Sequence, residues 1–225
     1  MPGGVRTVAR VRISHVVWDW NGTLLDDNNA VLAAVNAVCV EFGRADLTWP
    51  EWQAVYARPM RVSYEQILQR ALDDEEWARV DKLYHERYDA LLHTCGLATG
   101  VPDELRLWGE SGRTQSLLSM WFHARLTPTI DQFGLTQYFS RVDGLVGDVG
   151  GGSKAESLIR HLEAQSLDPA DVVLIGDVVD DANAAAAAGT QCILVTTGAM
   201  TRTALETTGL PVTNSVTEAL RLIES

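Results

Sequence analysis

Apolar residues recur with two different periods along this chain. A short apolar run at 13–19 stops at a glycine turn, which predicts a buried strand that ends in a tight turn. From about 28 to 97 the apolar positions recur at helical spacing and no strand signal is present, so this block predicts helices at 28–42, 50–56, 63–72 and 74–92. Gly43 follows the first of them, as expected for a C-cap.

Strand-like and helix-like segments alternate after this block. The pattern predicts strands at 115–119, 142–145, 172–175 and 191–195, and helices at 102–111, 154–165, 181–188, 203–208 and 216–224. Alternating strands and helices predict a parallel sheet with helices on both faces. We therefore expect an α/β fold: a doubly wound, Rossmann-like core formed by 1–27 and 98–225, with residues 1–10 as a loose extension and an all-α cap inserted at 28–97.

Composition and charge narrow the function classes. With 46% hydrophobic residues in 225, the chain can bury a substantial core, and its net charge of -12 argues against nonspecific binding to nucleic acid or to an anionic membrane. The three cysteines form no metal or disulfide motif, and no apolar stretch has the length of a signal or of a membrane span. We expect a cytoplasmic monomer or homodimer that acts on a small molecule.

Polar residues follow three of the predicted strands, where ligands of parallel sheets bind. Asp19 follows the first strand; it could act as a covalent nucleophile or a ligand of a hard cation, or it could only cap the turn. Asp177 follows a later strand with Asp180 and Asp181 close behind. A cation would relieve the repulsion among these carboxylates, although a helix N-terminus also favours acidic residues.

Two further residues could hold a phosphoryl group. Ser119 offers a hydroxyl at a predicted strand end, and an ordinary turn serine is the alternative. Lys154 follows the glycine-rich segment 150–152 at a predicted helix start, where the helix dipole disfavours a cation. Lys154 therefore has either an anionic partner or a plain surface position.

These residues together resemble the haloacid dehalogenase superfamily. Asp19 and Thr23 match the Asp-x-Asp-x-Thr motif, Ser119 and Lys154 match the second and third motifs, and Gly176, Asp177 and Asp181 match the Gly-Asp-x-x-x-Asp motif. The four motifs occur in order over nearly the whole chain. The helical block at 28–97 resembles a type 1 cap, as in phosphoglycolate phosphatases.

The resemblance implies a Mg²⁺-dependent phosphatase for phosphorylated small molecules that works through an aspartyl-phosphate. Asp19 would attack phosphorus. Mg²⁺ would be held by Asp19, the backbone carbonyl of Asn21 and Asp177, with Asp181 as a further acid of the metal site. Ser119, the backbone near Met120, and Lys154 would bind the phosphoryl group.

One position departs from the pattern, because Asn21 stands where the family phosphatases carry their acid/base aspartate. General acid–base catalysis contributes about 10²–10⁴-fold, so its loss predicts slow turnover. The open alternatives are a substrate with a good leaving group, a proton from Asp26, Asp27, His123 or a cap residue, a weak phosphatase or a phosphometabolite-binding protein, and no phosphatase activity at all. A dehalogenase is disfavoured by the acidic fourth motif, and a phosphomutase by the missing aspartate.

The cap is expected to select the substrate. Arg58 and Arg61 flank Pro59-Met60 between two predicted helices and could meet a substrate anion, or be solvated. Trp18 and Trp20 flank the proposed nucleophile, and strand alternation predicts that both serve packing.

Overall fold

The computed structural model describes residues 13–146 and 153–224. The extension expected at 1–10 and the glycine-rich segment 150–152 lie outside the described residues. The six strands of the main sheet are β1 (His15–Trp18), β4 (Thr114–Phe122), β5 (Val142–Leu145), β6 (Val172–Gly176), β7 (Gln191–Val195) and β8 (Val212–Thr213). Two short strands, β2 (Leu25–Asp26) and β3 (Gly96–Leu97), form a separate antiparallel pair.

The main sheet has the order β5-β4-β1-β6-β7-β8, and all neighbouring strands in it are parallel. The helices around it are α5 (Val101–Glu110), α6 (His123–Gln132), α7 (Lys154–Glu163), α8 (Val179–Ala188), α9 (Arg202–Glu206) and α10 (Val216–Glu224). Buried residues of α5, α6 and α10 share one apolar cluster with the sheet, and those of α7, α8 and α9 share another. The predicted doubly wound α/β architecture is confirmed.

Alternation along β1 explains how the sheet separates these two clusters. Val16 and Trp18 contribute to the α5/α6/α10 side, whereas Val17 contributes to the α7/α8 side. The same alternation places His15 and Asp19 on the α7/α8 side with Val17. Trp18 and Trp20 are fully buried in the opposite cluster, as predicted for packing residues.

Four helices lie between β2 and β3: α1 (Asn28–Glu41), α2 (Trp49–Val55), α3 (Met60–Leu68) and α4 (Asp74–Leu91). Capping boxes begin α2 at Thr48 and α4 at Asp73. Their apolar faces form a third cluster, in which Trp52 and Val80 are fully buried. The β2–β3 pair joins the two connections between this helical part and the core. The cap boundaries at 27/28 and 97/98 stay a prediction.

Two local expectations about the segment after α5 were wrong. No helix was predicted at α6, which contains Pro128; burial of Leu126 and Ile130 compensates for the hydrogen bond that a proline cannot donate. Strand β4 continues past 119, because an irregular register after Leu118 lets Phe122 still pair with Leu145. Ser119 therefore lies inside a strand and not after one.

Within the described residues, the helices are all too short or too polar to cross a bilayer.

Candidate active site

Three carboxylates meet at the carboxyl ends of the central strands. One oxygen from each of Asp19, Asp177 and Asp181 lies within 4.8 Å of the others, and all three residues are buried. Lys154 Nζ lies 2.5 Å from Asp19 Oδ1 and also contacts Asp181 Oδ1. Four residues from three motifs that are far apart in sequence thus form one buried charge cluster.

Secondary structure positions each member of this cluster. Asp19 directly follows β1, and its N–H donates to the carbonyl of Ile175 on neighbouring β6 at 2.9 Å. Asp181 lies in the first turn of α8, where its Oδ2 accepts a 3.1 Å hydrogen bond from the N–H of Val178. Lys154 is the first residue of α7 and is only 3% exposed, so it is not a solvated surface lysine.

Burial sets the electrostatics of the cluster. Desolvation raises the pKa of Asp19 to about 6, with Lys154 opposing the shift and Asp181 adding to it. The pKa of Asp177 is raised well above its usual range by burial and then by Asp19 and Asp181. Burial alone would lower the pKa of Lys154, but the adjacent Asp181 and Asp19 carboxylates outweigh it and raise the pKa. One cation therefore faces three carboxylates that are costly to ionise together.

The excess of negative charge in this cluster fits a small divalent cation. Three ionised carboxylates and one lysine leave a local charge of about two negative units in a buried place, which a cation with oxygen ligands would neutralise. Asp19, Asp177 and the backbone carbonyl of Asn21 would hold the ion, with Asp181 linked to it through Lys154.

A loop after β7 holds Asp177 in place. The N–H of Ala199 donates to Asp177 Oδ2 at 2.8 Å, and Thr23 Oγ1 donates to Asp177 Oδ1 at 3.3 Å. A Cβ on Gly198 would overlap the Asp177 carboxylate, and one on Gly22, which has φ +69, would lie 2.8 Å from Asp177 Oδ2. Two glycines are therefore required beside this carboxylate.

Asn21 takes part in a separate network. Its Nδ2 donates to Asp27 Oδ2 and to Tyr88 Oη, each at 2.8 Å. Tyr88 Oη donates to Asp27 Oδ2 at 2.7 Å, and the N–H of Gly22 donates to Asp27 Oδ1 at 2.9 Å. Burial raises the pKa of Asp27, while these donors act in the opposite direction. Of the residues suggested as replacement proton donors, Asp27 and the cap residue Tyr88 contact Asn21.

Ser119, Met120, His123 and Asp26, the remaining predicted residues of the core, each have surroundings of their own. Ser119 is buried and its Oγ accepts a 3.0 Å hydrogen bond from the N–H of Trp121, while Met120 is half-buried beside it. His123 Nδ1 accepts from the N–H of Gly144 at 3.3 Å. Asp26 is exposed on β2.

The two cap arginines differ from each other. Arg58 is exposed and donates to Tyr56 Oη at 3.2 Å; its pKa is raised first by Tyr56 and then also by Asp180 and Asp19, so this loop faces the carboxylate cluster. Arg61 instead pairs with Glu65 at 3.3 Å and with Asp74 at 2.8 Å, and it contacts the carbonyl of Leu72. The structure brings Arg58, and not Arg61, towards the cluster.

Sequence reasoning missed the loop at 197–199 and the role of Tyr88. The rule that polar residues after parallel strands line a site also covers Thr197 and Gly198, which follow β7. Nothing in the local sequence indicates that Tyr88 reaches Asp27, because they are 61 residues apart.

Several known proteins are similar to this chain in sequence or in fold. Phosphoglycolate phosphatase 1 of Pseudomonas aeruginosa is 26% identical over 190 residues, covering 81% of this chain and 69% of that protein. The phosphoglycolate phosphatase of Nitrosospira multiformis is 28% identical over 193 residues, covering 83% of this chain and 84% of its own. The crystal structure of a predicted phosphatase from Clostridium acetobutylicum has a TM-score of 0.82 at 19% identity, covering 95% of this chain and all of that one, and so shares the fold.

A family model for haloacid dehalogenase-like hydrolases matches residues 16–195. This range includes Asp19, Lys154, Asp177 and Asp181, which the structure joins in one cluster. The chain belongs to the haloacid dehalogenase-like hydrolases.

Proposed function

We propose that the protein is a Mg²⁺-dependent phosphatase that hydrolyses a phosphorylated small molecule through an aspartyl-phosphate on Asp19. The observation that carries the proposal is the placement of Asp19: a buried carboxylate at the end of a central strand, 2.5 Å from Lys154 Nζ and beside two further acids. The relatives named phosphoglycolate phosphatase make phosphoglycolate the first substrate to test.

In the first step a carboxylate oxygen of Asp19 attacks phosphorus while the bond from phosphorus to the leaving oxygen breaks. Lys154 stays charged and balances the phosphoryl oxygens, and Ser119 supplies a hydroxyl next to them. A bound Mg²⁺ would neutralise negative charge on the phosphoryl group and on the acids that hold it. In the second step water attacks the aspartyl-phosphate, releases inorganic phosphate and restores Asp19.

Asn21 affects both steps. An amide does not exchange protons at neutral pH, so neither the leaving oxygen nor the attacking water receives acid or base help from this position. We therefore propose slow turnover on ordinary phosphate esters and faster turnover where the leaving group needs no proton. The second candidate function, favoured by Asn21, is a phosphometabolite-binding or regulatory protein.

Phosphate release from phosphoglycolate and an acyl phosphate, with and without Mg²⁺, tests the proposal. We expect Mg²⁺-dependent release that falls at least about 10³-fold in Asp19→Asn and is unchanged in Asp46→Asn, an exposed aspartate outside the site. Mass spectrometry of acid-quenched enzyme should detect phosphate on Asp19. Activity that survives Asp19→Asn contradicts the mechanism, and thermal stabilisation by phosphoglycolate without any phosphate release favours the binding protein.

A further inference from the structure

The side-chain amide of Asn21 has only one possible orientation in its network. Both of its donated hydrogen bonds come from Nδ2, one to Asp27 Oδ2 and one to Tyr88 Oη. An amide nitrogen can donate to both acceptors, whereas the flipped amide would place an oxygen against the Asp27 carboxylate. The amide oxygen points away from Asp27 and Tyr88 and makes no hydrogen bond to the part of the chain that the structure describes.

Asp27 is surrounded by donors. Its Oδ1 accepts from the N–H of Gly22, and its Oδ2 accepts from Asn21 and Tyr88. The residue is 1% exposed, so these protein donors replace the water that a carboxylate otherwise needs. The carboxylate at position 27 is thus matched to an amide at position 21.

Tyr88, in the helical part of the chain, is the third member of this hydrogen-bond network. It lies on α4, and its ring is stacked on Tyr84 at 5.9 Å and contacts Trp121 edge-on at 5.9 Å. Its hydroxyl both accepts from Asn21 and donates to Asp27. The packing of the ring therefore fixes the position of a group that touches both residues.

We propose that Asp27 and Tyr88 are positioning residues that orient the Asn21 amide, so that an acid at position 21 requires the loss of the acid at position 27, where this network carries it. This inference rests on the proposed function for its catalytic consequence only. Asn21 then offers a fixed oxygen acceptor two residues beyond Asp19, which can orient a hydroxyl of substrate or water without taking its proton.

A consequence is that an acid cannot simply be restored at position 21. Asn21→Asp alone would replace an N–H donor by a carboxylate oxygen 2.8 Å from Asp27 Oδ2. Two carboxylates in contact repel, and burial strengthens the repulsion. Asp27→Asn alone keeps the network, because the Asn21 amide can flip so that its oxygen accepts from the NH₂ group at position 27 and from Tyr88 Oη.

The exchange of both residues preserves every hydrogen bond of the network, although donor and acceptor change places in some of them. In Asn21→Asp/Asp27→Asn, the amide oxygen at position 27 still accepts from the N–H of Gly22. The amide nitrogen at position 27 donates to the new carboxylate and to Tyr88 Oη, and the Tyr88 hydroxyl donates to that carboxylate. No donor faces a donor and no acceptor faces an acceptor.

A four-variant cycle tests the inference by thermal unfolding and by steady-state kinetics. We expect Asn21→Asp alone to lower Tm by at least about 5 °C without raising kcat, and Asp27→Asn alone to leave Tm within about 2 °C because the Asn21 amide can flip. We expect the double exchange to recover most of the lost Tm and to raise kcat at least about tenfold above the natural sequence, because it carries an acid at position 21. Asp26→Asn, which removes the neighbouring exposed carboxylate, should leave Tm unchanged.

Tyr88→Phe distinguishes positioning from simple packing. The ring and its aromatic contacts remain while the hydroxyl is lost, so we expect kcat to fall several-fold with KM within about twofold. A double exchange with the same Tm loss as Asn21→Asp, or Asn21→Asp alone raising kcat with unchanged Tm, would overturn the inference. The Tm cycle needs no substrate, so an absence of phosphatase activity would contradict the proposed function while the inference is still decided.

Discussion

The immediate neighbours of a charged side chain, more than its residue type, determine what it can do in this protein. Lys154 is enclosed by Asp19 and Asp181 and therefore stays charged although it is buried. Arg58 and Arg61 lie three residues apart, yet among the residues that the structure describes Arg61 alone of the two has carboxylate partners. Arg58 keeps its capacity to bind an external anion.

Substitution of the two arginines should separate these roles. We expect Arg58→Ala to raise KM for phosphoglycolate about tenfold, because a charge-assisted hydrogen bond to the substrate carboxylate would be lost. KM for a phosphate ester without a carboxylate should change less. Arg61→Ala is the matched control and should lower Tm slightly while leaving KM unchanged; equal KM effects of both variants would contradict the assignment.

The elements that carry the site are joined by a series of hydrogen bonds that is buried at His15, Ser116 and His161. His15 of β1 contacts Thr114 and Ser116 of β4, each at 2.7 Å, and His161 of α7 contacts Ser116 and Asp143, each at 2.7 Å. His161 lies two helical turns beyond Lys154 and both are buried against the sheet. These hydrogen bonds thus join α7 to β1, which Asp19 follows, and to β4, which contains Ser119.

Asp143, the acceptor at one end of this series, determines which atom donates in each of its hydrogen bonds. Asp143 also accepts from Arg141 at 2.5 Å and is an acceptor only, so neutral His161 donates from Nδ1 and accepts the Ser116 hydroxyl hydrogen at Nε2. Ser116 then accepts from His15 Nε2, and His15 Nδ1 accepts from Thr114. Every donor and acceptor is matched only while both histidines are neutral.

The free energy of unfolding should therefore fall in mild acid. Burial, followed by His161, lowers the pKa of His15 to about 4 from its usual 6.5, and burial also lowers the pKa of His161. The unfolded chain takes up protons first, so the contribution of His15 is fully present above pH 6.5 and is lost as pH falls from 6.5 to 4. The loss is on the order of 3 kcal/mol.

Urea unfolding between pH 4 and pH 7 measures this effect. We expect His15→Gln, which keeps hydrogen-bonding atoms but does not titrate, to flatten the pH dependence in this range. His93→Gln, at an exposed histidine, is the control and should retain the slope of the natural sequence. An unchanged slope in His15→Gln would contradict the assignment.

At the scale of the whole molecule, the charge cluster depends on loops from distant parts of the chain. Asp19 follows β1, Asp177 follows β6, and the loop that holds Asp177 follows β7. The cap also contacts this loop, since Gln53 donates to the carbonyl of Gly198 at 3.4 Å. A cation bound here would stabilise the folded chain and not the unfolded one.

Mg²⁺ should therefore raise Tm, and Gly198→Ala should remove most of the rise. A saturating ion at 100 times its Kd adds about 2.7 kcal/mol to the free energy of unfolding, whereas the new Cβ displaces the Asp177 carboxylate. Gly109→Ala is the control, because its Cβ meets nothing within 4 Å. Equal Mg²⁺ shifts in both variants would contradict the role of Asp177 in metal binding.

The sequence by itself determined the fold class and the members of the charge cluster. Hydrophobic periodicity and the order of strands and helices predict a parallel sheet, and such a sheet brings its strand ends to one edge, so Asp19 and Asp177 could be expected to meet. The chemistry of those residue types is local and can be read from the chain.

Only the tertiary structure decided what surrounds these residues. Contacts between distant segments orient the Asn21 amide through Asp27 and Tyr88. Such contacts also direct Arg58 towards the cluster while Arg61 is paired, and they pack Gly198 on Asp177. Periodicity assigns a residue to a face of a helix or strand, but the partner across that face depends on how the elements pack. The helix around Pro128 formed for the same reason: burial of its apolar side outweighed the local preference.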